Sequence, residues 1–80
     1  MFKSIVLLGL VVLHGTVNRG MGRDWVGMIA TSQGDFQFYD YTPGSLKADV
    51  CGGVDVPCEM KVLMDHKHTH IRKIISVTRL

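Results

Sequence analysis

Apolar residues recur along this chain mostly at alternate positions, the two-residue period of a half-buried strand, and no stretch sustains the 3.6-residue period of a helix. From Phe2 to Val17 the residues are apolar or β-branched on both faces. That run predicts a long strand buried on both sides, with Gly9 and Gly15 allowing it to bend. Trp25–Thr31 and Asp35–Tyr41 are separated by Ser32-Gln33-Gly34, a hairpin signature. In the second of these runs Phe36, Phe38 and Asp40 share one face, and Gln37, Tyr39 and Tyr41 share the other. Thr42-Pro43-Gly44-Ser45 then stops the strand, and Leu46–Val50 is long enough for one helical turn. Glu59–Met64 alternates, with Met60, Val62 and Met64 on its apolar side. Ile71–Leu80 is the last predicted strand, with Ile71, Lys73, Ile75 and Val77 on one face and Arg72, Ile74, Ser76, Thr78 and Leu80 on the other. Asn18–Arg23 and Asp65–His70 are the polar connections.

Five short strands, the first long and bent, the next two a hairpin, predict an all-β domain: a small five-stranded antiparallel barrel. An SH3-like barrel or an open β-sandwich is the alternative. The strand plan, ending in Ile74-Ile75-Ser76-Val77-Thr78-Arg79-Leu80, resembles the OB-fold over most of the chain. The helix that OB-like modules carry between strands three and four is absent or reduced here. The resemblance implies that the outer face of strands two and three, with its flanking loops, binds oligonucleotides.

Composition fits one packed unit spanning residues 1–80: 46% of residues are hydrophobic and 20% charged, unlike a disordered or coiled-coil chain. No apolar run reaches the ~18 residues of a spanning helix, so no membrane span is expected. A chain this short buries only about 60–65% of its unfolded surface, so a covalent or bound stabiliser would matter. Cys51 and Cys58 enclose a C-x6-C loop that a disulfide would close; in a reducing compartment the pair reads as two buried thiols, the favoured expectation. Lys3 followed by Ser4–Leu13 has the flank and length of a secretory segment, making residues 1–15 alternatively a signal peptide. Leu13 is too large for the cleavage position, so a first strand is favoured. With it a cytoplasmic location is preferred to a secreted or periplasmic one.

Charge changes the picture more by its distribution than by its total of +2. Residues 1–23 carry only positive groups, residues 24–58 a net of −4, and residues 59–80 a net of +3. If the first and last strands lie side by side, Arg23, Lys61, Arg72 and Lys73 merge into a patch that attracts phosphates. Trp25, Tyr39 and Tyr41 would then be stacking surfaces, with Phe36 and Phe38 in the core. This predicts a non-enzymatic module for single-stranded nucleic acid or another polyanion. His66, His68 and His70 alternate, so an extended chain would project all three imidazoles to one side as ligands for zinc or copper. A metal-binding module is therefore the second reading, against a plain histidine-rich turn. A protein-interaction or self-assembly module working through an exposed strand is the third. No local arrangement pairs a nucleophile with a base, and no glycine-rich phosphate loop is present, so catalysis is not expected.

Overall fold

A computed structural model describes residues 10–67 and 70–80. The alternation of side chains becomes five strands: β1 (Leu10–Arg19), β2 (Val26–Thr31), β3 (Gly34–Tyr39), β4 (Pro57–Met64) and β5 (Ile71–Arg79). A short 3-10 helix, Ser45–Cys51, stands between β3 and β4, where one helical turn is expected. The strands form one antiparallel sheet in the order β3-β2-β1-β4-β5. β4 shows the cleanest alternation: Cys58, Met60, Val62 and Met64 are buried, and the residues between them are not. They meet Leu13, Ile29, Phe38 and Ile74 in a single core.

β1 changes partners along its length, pairing with β4 from Leu10 to Thr16 and with β2 from Gly15 to Arg19. Gly15 lies at the change-over, and a Cβ there would sit 2.0 Å from the carbonyl oxygen of Ala30. The absence of a side chain thus lets the sheet coil sharply at this point, the bend its glycine predicts. The expectation that β1 is buried on both faces is corrected. Leu13 and Val17 are buried, but Leu10 and Val12 remain about half exposed, because the helix packs chiefly against β5 and leaves the outer face of β1 open. Residues 1–9, which include most of the predicted secretory segment, lie outside the described residues.

The sheet curls without closing into a barrel. Its edge strands meet at one parallel bridge, Gln37 to His70. Further along, the Tyr39 N–H donates to Thr42 Oγ1 (2.8 Å) and the Ile74 N–H donates to Pro43 O (2.8 Å). Lys47 Nζ donates to the Ile75 carbonyl at 2.9 Å. These bonds use edge groups that a continuous β3–β5 ladder would need, and they keep the seam open.

Three further expectations are revised. β1 and β5 are not neighbours, since β4 runs between them. β5 does not alternate simply: two register shifts leave Arg72 and Ile75 as extra residues opposite β4, so Ile71 and Ile74 are both buried. Cys51 and Cys58 are joined in a disulfide, with both residues fully buried, in place of the favoured free thiols. Gly53 and Asp55, both with positive φ, turn the intervening loop back on itself.

Candidate functional site

The open seam between β3 and β5 gathers the most distinctive side chains on the surface. Phe38 points into the core, so its neighbours Gln37 and Tyr39 face outward. Ile71 is likewise buried, which turns His70 and Arg72 outward on the facing strand. The chain from Gln37 to Pro43 is anchored to β5 at both ends, through the His70 bridge and the Ile74–Pro43 hydrogen bond. Between these anchors it bows away, and Tyr41, 77% exposed, rides on the bow.

The rings of this segment stack. Tyr39 and Tyr41 lie 5.1 Å apart between centroids with planes 4° from parallel. On the same Tyr39, the His70 ring lies at 6.2 Å and 13°. Arg72, one of the extra residues of β5, is exposed on the stretch between the two anchors, and exposed Lys73 follows it. Stacked flat rings on a strand segment that also carries exposed cations are groups that can stack planar ligands and neutralise phosphates.

The other predicted residues do not join this group. Trp25 is half-buried, edge-on to Phe38 at 5.8 Å, with the Arg19 guanidinium 4.8 Å above its ring. Arg19 also donates to Asp49 Oδ1 at 2.6 Å, tying the end of β1 to the helix. Trp25 is therefore a packing residue here and not a free stacking surface. Arg19, which the sequence reading did not single out, lines a shallow groove with Val17, Ala48, Asp49 and Gly53. Arg23 is exposed in the loop after β1. Lys61 lies exposed on the middle of β4, opposite Val12. Lys73 is level with Leu63, hence with Leu10 at the far end of β1, about 30 Å of strand from Arg19. Among the described residues Arg23, Lys61, Arg72 and Lys73 are thus strung along the sheet and do not form one pooled patch.

The described ends of the histidine segment, Asp65 and His70, are hydrogen-bonded to each other. The Asp65 N–H donates to the His70 carbonyl at 3.1 Å, and the His70 N–H donates to Asp65 Oδ1 at 3.2 Å, closing a turn over His66. His68 lies outside the described residues. Among the described residues no group of three His, Cys, Asp or Glu is placed to hold a metal ion. The remaining histidine, His14, contacts Glu59 Oε1 through Nε2 at 3.0 Å on the outer face. No helix among the described residues is long and apolar enough to cross a membrane. Comparison with protein-family models, with curated proteins and with solved structures finds no match to this chain.

Proposed function

We propose that the seam between β3 and β5 binds single-stranded nucleic acid. The observation that supports this reading is the stacking of Tyr41 and His70 on Tyr39, with the exposed Arg72 and Lys73 following His70 along the chain. Stacking accepts the π-face of any base, whereas a sulfated or carboxylated polymer gains nothing from flat rings. The exposed edge of the column, standing where the sheet fails to close, leaves room for a strand whose bases are splayed out. The strand plan's likeness to the OB-fold, whose ligands are commonly oligonucleotides, points the same way.

Fluorescence anisotropy with a labelled single-stranded oligonucleotide at low salt tests the reading, with heparin as the polyanion lacking bases. Saturable binding that weakens with salt, falls about fivefold or more in Tyr39→Ala or Tyr41→Ala, and outlasts an equal charge of heparin is expected. No saturable binding, or binding indifferent to both tyrosines, would overturn it.

A further inference from the structure

The outward row of β3 runs Asp35, Gln37, Tyr39, and each has an apolar neighbour on β2: Ala30, Met28 and Val26 in the same order. Consecutive outward positions on a strand lie about 6.5–7 Å apart, the width of a nucleobase. A planar group lying over the Val26–Met28 strip, at the edge of Tyr39, therefore brings one edge to Gln37, and a second such group brings its edge to Asp35. Gln37 is further fixed in place by its backbone bridge to His70. Asp35 is exposed, so its side chain is available to a ligand on this face.

A carboxylate beside a phosphate-binding surface weakens binding unless the ligand offers it a hydrogen-bond donor. Cytosine N4 and adenine N6 are such donors, and the amide of Gln37 can both accept from the amine and donate to the adjoining ring nitrogen. Thymine presents the carbonyl O4 where cytosine has its amine, facing the carboxylate without a donor, and an N3–H where cytosine has a ring acceptor, the reverse of the pattern the amine-bearing base offers. Resting on the nucleic-acid reading of the same seam, we infer that Asp35 and Gln37 are specificity-determining residues that select bases carrying an exocyclic amine.

Oligo-dC and oligo-dT of equal length make the cleanest comparison, since the two bases have similar size. At one salt concentration oligo-dC should bind about fivefold or more tightly than oligo-dT. Asp35→Asn and Gln37→Ala should each bring that ratio toward one, Asp35→Asn partly by raising oligo-dT affinity as the repulsive charge is removed and Gln37→Ala by lowering oligo-dC affinity. Circular dichroism checks that both surface variants keep the native sheet. Equal affinities for the two oligomers, with the salt and Tyr39 dependence intact, would overturn the selectivity and leave the binding reading standing. Binding of neither would overturn both.

Discussion

Gly44 shows how much one residue decides at the seam. Its φ of 84° lies in the left-handed region, and a Cβ there would come 2.0 Å from the Ile74 carbonyl oxygen. Gly44→Ala therefore carries both a backbone penalty and a clash with the very strand that Pro43 is anchored to. We expect a loss of about 2 kcal/mol or more, read as a lower urea midpoint, and weaker oligonucleotide binding in the folded fraction. Arg19 is the contrasting case. Its ion pair with Asp49 and its contact with Trp25 are both partly exposed, so Arg19→Ala should cost only about 1 kcal/mol and leave oligonucleotide affinity unchanged. An unchanged affinity in Arg19→Ala beside a reduced one in Arg72→Ala would separate clamp from site. The outward phase of Tyr39 was legible from its alternation with Phe36 and Phe38. The packing role of Trp25 was not, because nothing local to it names Phe38 and Arg19 as its neighbours.

At the scale of elements, β5 is where period-two reasoning fails. Its extra residues at Arg72 and Ile75 break the alternation that the sequence suggests, and the same irregularity exposes Arg72 at the seam. A bulge depends on how two strands are matched in register, and that information is divided between β4 and β5. The helix-to-β4 connection is set covalently. Closing the C-x6-C loop is worth about 2.5 kcal/mol on the chain-entropy account, a large share of the ~4–12 kcal/mol typical for a domain of this size. The Cys51→Ala/Cys58→Ala double variant should accordingly lose roughly 10–20 °C of Tm by calorimetry. A change of a degree or two would show that the bridge contributes little to stability. Disulfides persist mainly in oxidising compartments, so this pair accords better with the secreted or periplasmic expectation than with the cytoplasmic one.

For the whole molecule, strand order governs electrostatics. With β4 between β1 and β5, the described cations of the first and last strands lie on non-adjacent strands, and Arg72 and Lys73 are the cations on the stretch of β5 that follows His70. The binding constant should then fall with salt at a log–log slope of about −1.4, the value for roughly two phosphate contacts on a single strand. Arg72→Ala should reduce the slope by about 0.7. A slope of about −2.8 that falls only to about −2.1 in the Arg72 variant would mean that Arg23 and Lys61 act as well, as the pooled patch requires.

The amino-acid sequence by itself determined that this is an all-β chain, where four of its strands and its helical turn fall, and which faces of β3 and β4 are apolar. Those properties follow from periodicity and turn chemistry, which act between residues a few positions apart. Tertiary structure alone decided that the sheet stays open, that Tyr39, Tyr41 and His70 stack, that Arg72 is an exposed extra residue of β5 and that Trp25 packs against Phe38 instead of joining the stack. Each of these depends on residues distant in the chain meeting across a seam, and local hydrophobic pattern carries no record of which edges will meet.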